Sequence, residues 1–492
     1  MSTASTSNSK RGTLDRPDLL RSKAYVGGQW LDSTSGGTIS VTDPFTGETV
    51  GSVPSLDRIQ VEEAITVAAR AFDTWSRTAS RDRGKMLRRW NDLIQSNRES
   101  FARLITLENG KPLKEAQAEI DYGCSFMEFY AEEAGRAQGE IIPAPVPGRR
   151  LLAEREPIGV CAAITPWNFP LAMLTRKVAP ALAAGCTVIA KPASQTPLTA
   201  LALAVLAEEA GIPKGVFNVI TGKASMIGEI VTSSATVRKI SFTGSTPVGA
   251  QLMAASAATI KRMSMELGGN APLLIFDDAD LETALETAMV AKFRNGGQSC
   301  IAANRIYVQR GLHDRFIAAY ADRIKALKLG DGLVPDTDIG PLIDDAAVTK
   351  VNEHLEDALR GGAKLLVGGR GENGRLSPPT LVSNVAADAL LTREETFGPL
   401  AGVIRFDTYE DGIRLANNTP FGLAAYVCST SPATIARAGR DIESGMVGIN
   451  TGFISTAVAP FGGVKQSGLG REGSHHGLDE YLNIKYLCQA GL

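Results

Sequence analysis

Long apolar runs are missing from this 492-residue sequence. The best candidate, LTALALAVLA, stops at Glu208, well short of the roughly 18 residues that a membrane span needs. No secretory leader is expected either, because the opening MSTASTSNSKRG is polar, rich in Ser and Thr, and has no apolar core. Residues 1–22 are therefore expected to be a flexible tail on a soluble, cytoplasmic protein. An excess of charge is also lacking: 51 basic against 53 acidic residues leave a net charge of −2. That balance gives no electrostatic basis for a nucleic-acid or membrane partner.

Histidine is scarce. The four residues, His313, His354, His475 and His476, fall in no motif that suggests a ligand or a base. The six cysteines, at positions 124, 161, 186, 300, 428 and 488, show no CxxC spacing. Together these gaps argue against a zinc site, a disulfide framework and a hydrolase built on a Cys–His pair, and no metal is assigned.

What is present is alternation. From Glu154 to about Phe276, short β-rich runs (IGVCAAIT, CTVIAKP, GVFNVITG, VRKISFTGS) alternate with stretches at helical spacing. One of them, PLAMLTRKVAPALAAG, ends on a glycine stop. Thr196-Pro197 opens the next helix in the favoured order of cap, then proline. A second alternating stretch starts at NAPLLIF, with RIYVQ, KLLVGG and AGVIRFDTY as later strands, and LGGN at 267–270 breaks the pattern between the two. This predicts an α/β fold of two doubly wound parallel-sheet domains with a ligand cleft between them.

Glycine patterns need context. GRGENG (369–374) and GLGREG (468–473) match G-x-G-x-x-G literally, but neither joins a strand to a helix, so both read as turns. FTGSTPVG (242–249) is better placed, where Gly244 and Ser245 would offer donors to a pyrophosphate at a helix start. The remaining chemistry lies in FRNGGQSC, which puts Cys300 in a Gly-rich polar loop where a packing cysteine has no reason to be. TPWNFP (165–170), MELGGN (265–270) and EETFGP (394–399) each hold a polar side chain in a rigid setting.

In this order, and with YVGGQW at 25–30 and PFGGVKQSGLGREG at 460–473, these motifs resemble the aldehyde dehydrogenase superfamily over nearly the whole chain. The resemblance implies a cofactor-binding Rossmann-like domain over 23–137 and 158–266 and a catalytic domain over 267–466. It also implies a small β oligomerisation arm over 138–157 and 480–492, a return segment at 467–479, and a homo-oligomer, dimer or tetramer. Cys300 matches the nucleophile, Glu266 the general base and Asn168 the oxyanion donor. Lys191, Gly244, Ser245, Glu395, Phe397 and Trp167 match cofactor contacts. Position 194 is Ser194, where many NAD-preferring members have a glutamate that would repel a 2′-phosphate, so NADP is expected to be preferred over NAD.

Within the superfamily the chain is most similar to the succinate-semialdehyde dehydrogenases. Arg176, Arg294 and Ser455 match the residues that hold a substrate carboxylate there, although arginines more often make structural ion pairs. Ala302 replaces a cysteine that many of those enzymes carry two residues past the nucleophile, so the local disulfide switch is expected to be absent. The same change leaves glutarate semialdehyde or another aldehyde as an alternative substrate.

Overall fold

The computed structural model describes residues 13–491. Two parallel sheets form the two α/β bodies. The first has eight strands in the order Gly468–Leu469, Arg262–Glu266, Val237–Thr243, Val160–Ile164, Thr187–Lys191, Phe217–Val219, Ala24–Val26, Gln29–Leu31. Its five central strands are parallel and its edges antiparallel. The second has seven, in the order Lys364–Val367, Thr380–Ser383, Leu400–Phe406, Ala303–Gln309, Ala271–Ile275, Ala424–Cys428, Met446–Ile449. The first sheet's strand ends at Glu266 and the second sheet begins at Ala271.

Two of the crossover helices are buried where they cover the first sheet. The Ala172–Ala184 helix is buried along its whole length and stops at Gly185, whose φ of 99° is left-handed. The Leu198–Ala210 helix starts differently from the expectation. Pro197 is its N-cap and gives no side-chain cap, while buried Glu108 from the Arg98–Asn109 helix accepts from Leu198 N (2.8 Å) and Thr199 N (2.9 Å). A partner far away in sequence replaces the local cap.

Two other expectations are corrected. Residues 1–12 of the expected tail lie outside the described residues, but Leu14 and Leu19 are buried in the main core, and Arg16 pairs with Glu209 at 2.7 Å. The apolar side chains of Leu14 and Leu19 hold this stretch down. The GLGREG turn also begins as an edge strand, with Gly468 opposite Glu266 and Leu469 opposite Met265. A third, antiparallel sheet of Glu140–Ile142, Arg149–Pro157 and Leu482–Ala490 pairs separately from the other two.

Candidate active site

Cys300 follows the Leu281–Phe293 helix after a sharp reversal, in which Asn295, Gly296 and Gly297 take φ values of 54°, 60° and 75°. Three left-handed residues in a row need Gly or Asn chemistry, which accounts for the odd composition of the loop. Gly269, in the crossover between the sheets, lies so near the Cys300 carbonyl that a Cβ there would overlap its oxygen. The partly exposed Cys300 lines a cavity of about 370 Å³.

Both bodies contribute walls. Trp167, Asn168, Arg176, Gly244 and Ser245 come from one side, and Arg294, Cys300, Glu395, Phe397 and Ser455 from the other. Burial pushes the Cys300 thiol up to about 12, with Glu395 adding to the effect and Arg176 opposing it. Asn168 is buried in the loop after the Val160–Ile164 strand, and its Nδ2 donates to the Gln298 carbonyl at 3.0 Å.

Glu266 does not line the cavity wall, but Leu267 and Gly268, which follow it, do. Its strand end holds it between Thr243 and Gly468, and its carbonyl accepts from Gly244 N at 3.0 Å. Both carboxylate oxygens are buried without a hydrogen-bond partner. Burial first, then Glu472, holds the carboxyl well above the usual range, against the pull of Arg176 and Lys177. A carboxylate tuned upward in this way is a stronger proton acceptor than a solvent-exposed one.

The two arginines differ. Arg176 Nε contacts Glu472 Oε2 at 2.5 Å, an ion pair without hydrogen-bond alignment, and its guanidinium stacks 4.0 Å over the Phe461 ring. Its Nη2 is buried with no partner. Arg294 packs against rings, with its guanidinium carbon 5.0 Å from the Phe453 centroid and 5.3 Å from that of Phe169.

The residues proposed from sequence for a dinucleotide are only partly gathered here. Gly244 and Ser245 open the Thr246–Ser256 helix, and Ser245 makes no side-chain cap; Pro247 has no N–H and Gly249 N bonds the Ser245 carbonyl, so Thr246 and Val248 are the first-turn amides left for an anion. Glu395 accepts from Gly269 N at 3.1 Å, and burial raises its carboxyl to about 7. Trp167 and Phe397 meet edge to face at 5.5 Å. Lys191 ends the Thr187–Lys191 strand, buried and lowered to about 8 by that burial, and it is not on this wall. Ser194 lines a second cavity of about 200 Å³, which shares Ile343 and Asp344 with the first. This donor set fits a dinucleotide: helix amides for a pyrophosphate and a carboxylate for ribose hydroxyls.

Three residues escaped the sequence reading. Glu472 sits inside the GLGREG turn, yet it pairs with both Arg176 and Lys177. Tyr122 projects from the Leu113–Glu133 helix into the cavity, its hydroxyl 3.5 Å from Arg176 Nη1, and no local motif marks it. Lys350 also lines the cavity and opposes the upward shift of Glu395. An i, i+4, i+7 face of Glu115, Glu119 and Tyr122 was the one available signal.

The chain is similar to known proteins over nearly its whole length. A 3-sulfolactaldehyde dehydrogenase of Pseudomonas putida is 51% identical over 97% of this chain and 99% of its own. The NADP(+) succinate-semialdehyde dehydrogenase of Escherichia coli K12 is 51% identical over 96% and 99%. The crystal structure of an aldehyde dehydrogenase from Brucella melitensis biovar abortus 2308 superposes with a TM-score of 0.97 at 54% identity, covering 98% of this chain and 99% of that one. The sequence profile of the aldehyde dehydrogenase family matches residues 30–487, which span every residue of the cavity described above and both sheets except Ala24–Val26 and Gln29 at one edge. With a cysteine and a dinucleotide-compatible wall around one cavity, and a buried carboxyl on the strand end next to it, the chain belongs to the aldehyde dehydrogenase family, whose members oxidise aldehydes with NAD(P).

Proposed function

We propose that the protein oxidises succinate semialdehyde to succinate, with NADP preferred over NAD. The observation that carries the substrate is that Arg176, Arg294 and Ser455 line the same cavity as Cys300, with Arg176 Nη2 buried and unpartnered. A guanidinium on the cavity wall whose donors the protein does not all satisfy favours an anion, and a planar fork suits a carboxylate.

In this reading the Cys300 thiolate attacks the aldehyde carbon, and the carbonyl π electrons move onto oxygen. The Asn168 amide and the Cys300 N–H stabilise that oxyanion. When bound, NAD(P) supplies hydride acceptance from this carbon, which leaves a thioester on Cys300. Glu266 then takes a proton from water, the water oxygen adds to the thioester carbon, and the C–S bond breaks to restore the thiolate. Gly244, Ser245, Glu395, Trp167 and Phe397 would hold the cofactor, with Lys191 and Ser194 at the adenosine ribose. A neutral serine at 194 leaves no carboxylate to repel a 2′-phosphate, which supports NADP.

A second reading has a specific support. The Pseudomonas putida relative is named for an aldehyde with a sulfonate at its far end, and two guanidinium groups would also satisfy a sulfonate. A longer dicarboxylic semialdehyde would use the same contacts. The test is a kcat/KM panel of succinate semialdehyde, glutarate semialdehyde, 3-sulfolactaldehyde and butanal, with each cofactor. Succinate semialdehyde with NADP should lead, and a higher value for any other pair would displace this reading.

The β arm supports a homo-oligomer. Its outer residues Ile141, Ile484 and Tyr486 are 72%, 65% and 60% exposed, apolar surface that a second copy would cover. Among the described residues no helix is long and apolar enough to cross a membrane, in keeping with a cytoplasmic enzyme.

A further inference from the structure

The loops carrying Cys300 and Asn168 come from different bodies, and one side chain spans them. Asn295 Nδ2 donates to the carbonyl oxygens of Asn168 at 3.0 Å and Gln298 at 3.1 Å. Its own backbone N–H is held by both oxygens of Glu115, at 2.8 and 3.0 Å. The Gln298 carbonyl also accepts from Asn168 Nδ2, so two side-chain amides converge on one oxygen with two lone pairs. A primary amide has two N–H donors. With one held by Gln298, the plane of the Asn168 amide is set, and the other N–H is left for the cavity that Asn168 shares with Cys300.

We propose that Asn295 is a positioning residue for aldehyde oxidation: it fixes the Asn168 amide relative to Cys300, so that the oxyanion donor is in place before substrate arrives. The inference rests on the reading of Asn168 as that donor. Asparagine suits the position for two reasons. Its φ of 54° lies in the left-handed region, which Asn and Gly tolerate best, and its amide supplies the two donors the carbonyls take. Lys111 Nζ gives the Asn168 carbonyl a second anchor at 2.7 Å and is paired with fully buried Glu119 at 2.6 Å. Loss of Asn295 should therefore loosen the alignment without releasing the loop.

Asn295→Gly tests this, because glycine keeps the left-handed backbone and removes both bonds. The pre-steady-state rate of reduced-cofactor formation should fall about 10- to 100-fold, with KM and cofactor Kd within about threefold, the mark of an interaction made in the transition state. Asn168→Ala should fall at least as far, and Asn168→Ala/Asn295→Gly should fall no further than Asn168→Ala within about threefold. A structural role would instead multiply the two losses or raise KM and Kd together, and either result overturns the proposal. Asn295→Asp provides a second route should the glycine variant not fold. It keeps size and backbone but turns the donor into an acceptor facing two carbonyls, so a wild-type rate there also overturns the proposal. A wild-type rate in Asn168→Ala removes the oxyanion role of Asn168 itself, an outcome distinct from multiplied losses.

Discussion

Arg294→Met isolates the proposed carboxylate contact. Arg294 meets the rings of Tyr122, Phe169 and Phe453 at 6.0, 5.3 and 5.0 Å, whereas Arg176 is also committed to Glu472. Methionine keeps an apolar stem against those rings and removes only the charged fork. A charge-assisted hydrogen bond is worth about 1.5–3 kcal/mol, and about 1.36 kcal/mol corresponds to one decade, so kcat/KM for succinate semialdehyde should fall about 10- to 150-fold. The loss should appear mainly in KM, because the far carboxylate is held equally in the ground and transition states. Butanal has the same four-carbon chain without the anion, and its kcat/KM should move less than about threefold. Initial rates of reduced-cofactor formation, with the cofactor saturating, measure both. Equal losses for the two substrates would refute the reasoning and make Arg294 a prop for the Cys300 loop. Arg176→Met should behave differently, lowering both substrates and thermal stability, because it strips buried Glu472 of one of its two cationic partners.

Glu266→Gln should leave the first turnover nearly intact and slow the steady state at least about 100-fold, seen as a burst of reduced cofactor followed by a slow phase; a slow first turnover without a burst would count against the base role. Without cofactor, alkylation of Cys300 should rise about tenfold per pH unit from 7 to 10 with no plateau, because a thiol raised to about 12 is far from half-ionised there. A plateau below pH 9 would show that the resting thiol is not held up by its burial, and a Cys300→Ser control identifies the labelled site. Ser194→Glu should raise KM for NADP at least about tenfold and leave NAD within about threefold; an unchanged preference would show that position 194 does not face the 2′-phosphate.

Regular alternation of strand and helix patterns was enough to predict two α/β bodies, since each period reports which face of a segment is buried. The Cys300 loop was equally legible, because three left-handed residues need Asn and Gly and those letters stand in the sequence. Motif order then named the family. Partners far apart along the chain are another matter. Glu472 lies 295 positions from Lys177, its turn looked like loop chemistry, and only packing shows the carboxylate buried against two cations. Leu14 and Leu19 follow a polar opening, and only the core they enter reveals that they are held. Asn295 was visible as a letter but not as a link. A residue's local conformation is set by its neighbours in sequence, whereas burial and hydrogen-bond partnership are properties of the whole packed chain. The sequence alone therefore determined the elements, the loop that carries Cys300 and the family, and tertiary structure decided which charges are paired, which donors stay free for a ligand, and what holds Asn168 beside Cys300.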